Sequence, residues 1–174
     1  MNKPALATDV FLQPGEFHFS NKNTRIRTIL GSCVSITMWH PSLHIGGMCH
    51  YMLPSRNNKR IARLDGRYGD EAILMFFEQA IRHESDPAAY QVKVFGGGNM
   101  FPQQHQRPCL GRSCDDVIKS CRDVSCKNLI QGVSLLEKFG FQIASKDLGG
   151  ATSRNIIFDV RDGHVWVRRN TPMK

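Results

Sequence analysis

Val34-Ser-Ile-Thr-Met-Trp39, the turn His40-Pro-Ser42, and Ile45-Gly-Gly-Met-Cys-His-Tyr-Met-Leu53 decide the fold. The first segment alternates apolar and polar residues at the period of a strand, the proline reverses the chain, and the second segment is long enough to return beside the first. This predicts an antiparallel hairpin, with Gly31-Ser32-Cys33 at the glycine-marked break just before it. Upstream, Glu16-Phe-His-Phe19 and Arg25-Ile-Arg-Thr-Ile-Leu30, joined by Ser20-Asn-Lys-Asn23, predict another hairpin. Downstream, Pro54 to Arg67 has the polar, basic composition of an exposed loop. Gly69 to His83 places Ile73, Phe76, Phe77 and Ile81 near helical spacing, with acids in its first turn and bases in its last. Val92-Lys-Val-Phe95 reads as a strand running into Gly96-Gly97-Gly98. A second helix beginning near Ser125 carries Leu129, Val133, Leu136 and Phe139 until Gly140 stops it. Phe141 to Leu148 then predicts a strand, and Asn155–Val160 with Val165–Arg169 a hairpin about Asp162-Gly163. Strands outnumber helices and the two are mixed along the chain, which argues for an α+β fold.

A chain of 174 residues, 41% hydrophobic, has the size and apolar surface of a single domain, expected here to span 1–174. No run approaches the roughly 18 apolar residues of a membrane helix, so a cytoplasmic protein without membrane insertion is expected. In a reducing compartment the six cysteines stay as thiols, to be explained by catalysis, metal or burial. The net charge of +8 favours an acidic partner. Arg25/Arg27, Lys59/Arg60/Arg63/Arg67 and Arg168/Arg169 are scattered without the interleaved aromatics of a single-strand binding platform, so nucleic acid is not expected.

A catalytic cysteine needs a neighbouring base and donors for the oxyanion its attack creates. Gly31-Ser32-Cys33 offers a tight backbone that turns peptide N–H groups toward a carbonyl. Of the seven histidines, His40, His44 and His50 lie on the hairpin that follows Cys33. His40 and His44 flank its distant turn, whereas His50 returns to the start of the first strand, beside Cys33. Cys49 adjoins His50 but points to the opposite face of its strand and reads as packing. On pattern alone the Cys33–His50 pair competes with a buried cysteine and a hydrogen-bonded histidine.

Thr28-Ile-Leu-Gly-Ser-Cys-Val-Ser-Ile36 and Gly46-Gly-Met-Cys-His-Tyr-Met-Leu-Pro54 closely resemble the CheD family of chemoreceptor glutamine deamidases. The resemblance continues in Gln13-Pro-Gly-Glu16, Gly97-Gly-Asn-Met-Phe101, Asn128, Asp147-Leu-Gly-Gly150 and Arg154, and so spans nearly the whole chain. It implies packed mixed or antiparallel β-sheets flanked by helices, with Cys33 as nucleophile, His50 as general base and acid, and Thr28 orienting the imidazole. It also implies that Gly97 and Gly98 join Gly31 and Ser32 in the active-site loop. The reaction implied is hydrolysis of glutamine side chains on chemoreceptor cytoplasmic helices to glutamate and ammonia, without metal or cofactor. In some bacteria a CheC-type phosphatase docks on such proteins.

One stretch departs from that pattern. Cys109-x4-Cys114-x6-Cys121-x4-Cys126 forms a cysteine-bearing insertion at about 102–126, and its spacing is cramped for zinc. It supports an alternative reading, a zinc-stabilised, non-enzymatic basic adaptor that binds chemoreceptors or nucleic acid. Gly96-Gly97-Gly98 lacks the Gly-Lys-Ser/Thr ending of a phosphate loop, which argues against nucleotide binding. The basic loop Asn57 to Arg67 is solvated surface or a device that steers the protein toward acidic receptor helices.

Overall fold

The computed structural model describes residues 7–21, 23–56, 63–100 and 124–170. These form strands β1 (Thr8–Phe11), β2 (Phe17–Asn21), β3 (Thr24–Leu30), β4 (Val34–His40) and β5 (Ile45–Tyr51), then helix α1 (Gly69–Arg82) and β6 (Gln91–Gly96). Helix α2 (Val124–Lys138), β7 (Gln142–Leu148), β8 (Arg154–Asp159) and β9 (Val165–Arg169) follow. One sheet has the order β1-β3-β8-β9, the other β2-β5-β4-β6-β7. Each mixes one parallel pair, β1·β3 or β6·β7, with antiparallel ladders, and the architecture is α+β.

Strand alternation sorts the side chains into layers. Val34, Ile36 and Met38 of β4 and Cys49 and Tyr51 of β5 face both helices, in a core shared with Ala72, Ile73, Phe76, Leu129 and Leu136. On the opposite face of the same sheet, Met48 and Phe95 meet Ile26, Leu30, Ile156 and Phe158 of the four-stranded sheet. The order is therefore helices, five-stranded sheet, four-stranded sheet, and both helices pack on the first of these sheets. The second helix lies close to where its periodicity predicts, and Gly140 ends it at φ +83°, a conformation that favours glycine.

The β4–β5 hairpin forms as predicted and brings His50 back to the start of β4, in a register with Ser35 opposite His50 and Val34 opposite Tyr51. The predicted upstream hairpin is overturned. β2 pairs with β5, β3 pairs with β1 and β8, so the two strands belong to different sheets, with Ser20 Oγ and Thr24 Oγ1 2.7 Å apart where the sheets meet. β3 buries Thr24, Ile26, Thr28 and Leu30 against the other sheet, so the chain passes from layer to layer instead of folding back within one. The loop before α1 is also less free than its composition suggests. Arg56 forms an ion pair with the buried Glu71 at 2.5 Å, and Arg67 pairs with Asp65. Residues 57–62 of that loop, and Cys109, Cys114 and Cys121 of the insertion, lie outside the described residues; Cys126 is buried on α2.

Phe158 sits between the sheets at 0% exposure, whereas Arg168 on the neighbouring strand is exposed. Phe158→Ala is expected to lower the unfolding free energy by about 3–5 kcal/mol. Arg168→Ala should stay within about 0.5 kcal/mol, and chemical denaturation followed by circular dichroism measures both.

Candidate active site

β3 and β5 belong to different sheets, and their inward side chains meet. Thr28 Oγ1 lies 2.8 Å from His50 Nδ1 and 2.9 Å from the Leu12 carbonyl oxygen. A hydroxyl has one proton to give. The carbonyl can only accept, so the Thr28 hydroxyl donates to Leu12 and receives the Nδ1–H of His50. That assignment leaves Nε2 as the unprotonated nitrogen of a neutral imidazole. Nε2 is buried, on a side chain 2% exposed, and has no hydrogen-bond partner among the described residues. Thr28 and His50 are thus brought together as the family resemblance implies.

The backbone of His50 is held from outside the hairpin. Gln13-Pro-Gly-Glu16 makes a turn in which Glu16 N–H donates to the Gln13 carbonyl at 3.1 Å, with Pro14 second and Gly15 third at φ +91°. This turn docks on β5 through Gly15 N–H to the His50 carbonyl at 2.6 Å and His50 N–H to the Glu16 carbonyl at 3.0 Å. The family resemblance includes this stretch, but its docking target is set by tertiary contacts.

Cys33 is half-buried and packs against the layer between the sheets, the layer that holds His50. It lies one step beyond the ladder in which Ser35 faces His50, and two residues before Ser35 on the same face. Diagonal neighbours on adjacent strands have Cα atoms roughly 7–8 Å apart; His50 Nε2 makes no hydrogen bond to Cys33 Sγ in this structure. Ser32 is exposed and Gly31 half-buried, so the bend opens to solvent at the nucleophile position. Cys49 faces the helices at 0% exposure, and burial pushes its thiol up to about 12.

Gly97 and Gly98 lie against this bend, but their N–H groups are already used. Gly97 donates to the Cys33 carbonyl at 2.8 Å and Gly98 to the Gly31 carbonyl at 3.1 Å. They buttress the bend. A Cβ on Gly96, at φ +110°, would collide with the Cys33 carbonyl oxygen, which explains the glycine there. The bend is tied in turn to β7 and β8, since Gly149 N–H donates to Gly96 and Asn99 N–H to Gly150. Arg154, 1% exposed, donates to the Gly149 carbonyl at 2.5 Å and to Asp147 at 3.1 Å, which fixes that third loop.

The electrostatics are those of a neutral pair. Burial pushes the Cys33 thiol up and the His50 imidazole down to about 4. Near pH 7 the thiol keeps its proton and Nε2 keeps its lone pair. Burial thus favours a neutral thiol and a neutral imidazole over a thiolate and an imidazolium.

A family model for CheD chemotactic sensory transduction matches residues 52–169. A probable chemoreceptor glutamine deamidase CheD of Pseudomonas syringae pv. tomato is 45% identical over 168 residues, 97% of this chain and 93% of that protein. The chain belongs to the CheD family. A probable chemoreceptor glutamine deamidase CheD 1 of Leptospira interrogans is 40% identical over 169 residues, 96% of each chain. Among solved structures, the hypothetical protein YfiH of Bacillus licheniformis superposes with a TM-score of 0.45 at 13% identity, over 77% of this chain and 49% of that one. The CheD model begins at Met52, past His50, so the Thr28–His50 contact lies outside the matched residues. Among the described residues of this CheD-family chain no helix is long and apolar enough to cross a membrane, and no group of three or more His, Cys, Asp or Glu could hold a metal ion.

His50 is held well below the ordinary imidazole range, so on acidification the unfolded chain takes up its proton first. Stability is therefore fully present above about pH 6.5 and is lost as pH falls through about 4, with a slope no greater than about 1.4 kcal/mol per pH unit. His50→Gln is expected to flatten that part of the curve, measured by urea denaturation between those limits. The sloping limb should be unchanged only if His50 titrates at its ordinary value in the folded protein.

Proposed function

We propose that this chain is a cysteine-dependent protein-glutamine deamidase that converts glutamine side chains on chemoreceptor cytoplasmic helices to glutamate. The observation that carries the reading is the buried His50 imidazole, with Nδ1 tied to Thr28 and Nε2 unpartnered in the layer that also holds Cys33. A non-enzymatic adaptor gives no reason to bury a ring nitrogen without a partner, which is costly. The names of relatives similar over nearly the whole chain support the substrate class.

Cys33 Sγ passes its proton to His50 Nε2 as it attacks the glutamine side-chain carbon. The tetrahedral oxyanion is met by peptide N–H groups of the Ser32–Cys33 bend, since those of Gly97 and Gly98 already serve the bend's carbonyls. The imidazolium, an easily relinquished proton in this buried setting, protonates the departing nitrogen, and ammonia leaves a thioester. Water then gives its proton to Nε2 and attacks the thioester carbon, so that glutamate and the Cys33 thiol are released. Thr28 holds the ring in the tautomer that every step uses.

Exposed Met52 and Leu53, beyond His50 on the same chain, offer apolar contact to the helix that carries the glutamine. The +8 charge favours encounter with acidic receptor helices. Arg67 contributes less to that steering than its position suggests, because Asp65 accepts from it at 2.9 Å. The same proposal takes residues 1–174 as one cytoplasmic deamidase domain, with a CheC-type phosphatase as a regulatory partner on the strength of the family resemblance.

Purified protein incubated with receptor cytoplasmic fragments should add about 1 Da per modified glutamine and release ammonia, and Cys33→Ala should abolish both. Thr28→Val, which keeps the shape and removes the acceptor, should slow turnover roughly 10-fold or more, with Thr28→Ser restoring most of it. Retained deamidation in Cys33→Ala would move the nucleophile elsewhere.

A further inference from the structure

The outward face of the four-stranded sheet does not look like the polar face that an antiparallel sheet ordinarily shows to water. Strand register sets Phe11, Arg27, Ile157 and Trp166 in one row across it, and Ile29, Asn155 and Arg168 in the next. Phe11 is 45% exposed, Ile29 51% and Trp166 51%, and the rows border a groove of about 390 Å³. Both described helices pack on the other sheet. Of the chain's own segments outside the described residues, 1–6, 57–62 and 171–174 carry bases and no acid, and 101–123 carries four bases against three acids, so none offers a net acidic complement to this surface.

The charge on the face is positive. Arg168 makes no ion pair among the described residues, and Arg27 reaches Asp9 only at 3.9 Å between half-exposed side chains, a contact worth little in water. Arg27 sits within the apolar row and Arg168 at the β9 edge of the next, on a face about four strands, or roughly 14 Å, wide, which accommodates one α-helix with its side chains. The two rings stand at opposite ends of their row, with Arg27 and Ile157 between them and Ile29 in the adjoining row. A centre of one cation between aliphatic and aromatic residues receives the acidic and apolar side chains of a helix, whereas stacked bases need a continuous aromatic platform.

We propose that this face docks an acidic amphipathic α-helix of a partner protein, at a site separate from the Cys33 bend. β3 presents Arg27 and Ile29 to this face and Thr28 to His50, so a partner here grips the strand that orients the imidazole without covering the nucleophile. The inference does not rest on the deamidase reading.

The test titrates the full chain with a fluorescein-labelled peptide of roughly 20 residues, leucines on one face and glutamates on the other, long enough to form a helix on contact. A peptide of the same composition with scattered leucines and an oligothymidylate serve as competitors. Anisotropy should saturate with the amphipathic peptide at about tenfold higher affinity than with the scattered one, and amide exchange should slow in β1, β3, β8 and β9. Arg27→Glu combined with Arg168→Glu, and separately Trp166→Ser, should each weaken binding about tenfold while the circular dichroism melt is retained. Equal binding of the scattered peptide, protection confined to the residues around Cys33, or tighter binding of the oligothymidylate would each overturn the proposal. So would self-association that Trp166→Ser abolishes, since the face would then belong to a second copy of the chain.

Discussion

The hydrogen bond between Thr28 and His50 joins two sheets and sets the state of one ring. Its partners come from strands that never pair, β3 and β5, so it exists only when the layers are stacked in register. Folding the chain and choosing the imidazole tautomer are therefore one event. The Leu12 carbonyl completes the relay by consuming the threonine proton, which leaves its oxygen able only to accept from Nδ1. A serine would offer the same hydroxyl with greater rotational freedom, whereas the β-branched threonine is stiff about χ1 and holds its oxygen in one direction.

Around that contact, backbone does what side chains do in many sites. The Gln13–Glu16 turn clamps His50, the Gly96–Gly98 run clamps Cys33, and Arg154 clamps the loop that holds the glycine run. Each clamp uses peptide groups that would otherwise be buried without partners, so the rigidity of the site and the satisfaction of its buried polar groups are the same set of bonds. The absence of side chains at Gly96 and Gly97 is what permits this, since a Cβ there would strike the Cys33 carbonyl or the Leu129 side chain.

The hairpin, the return of His50 to its start, and the divergence of Cys49 from His50 were legible in the sequence, because all three follow from period-two alternation about a marked turn. The sheet assignment of β2 and β3 was not. Both segments alternate properly, and which sheet each joins is decided by partners distant in sequence, β5 and β8. β1 escaped notice because Asp9 interrupts its short apolar run, although the strand pairs in parallel with β3. Within the site, His50 could be singled out from hairpin geometry alone, whereas the role of Thr28 came only from family resemblance. The target of the Pro14-Gly15 turn and the use of the Gly97 and Gly98 N–H groups as buttresses belong to tertiary contacts that no local pattern carries.

The lowered imidazole and raised thiol bear on what the site can attack. A stored thiolate would react with any electrophile that reached it, including oxidants, whereas a protonated thiol beside a neutral base becomes nucleophilic only as a carbonyl draws the proton across. An unactivated carboxamide is a poor electrophile with a poor leaving group, and its reaction is limited by delivery of a proton to nitrogen as much as by attack. An imidazolium held well below its ordinary range is a strong proton donor at that moment. In the proposed mechanism, burial weakens Cys33 as a resting nucleophile and strengthens His50 as the acid of the departing step, a trade that suits an unactivated amide.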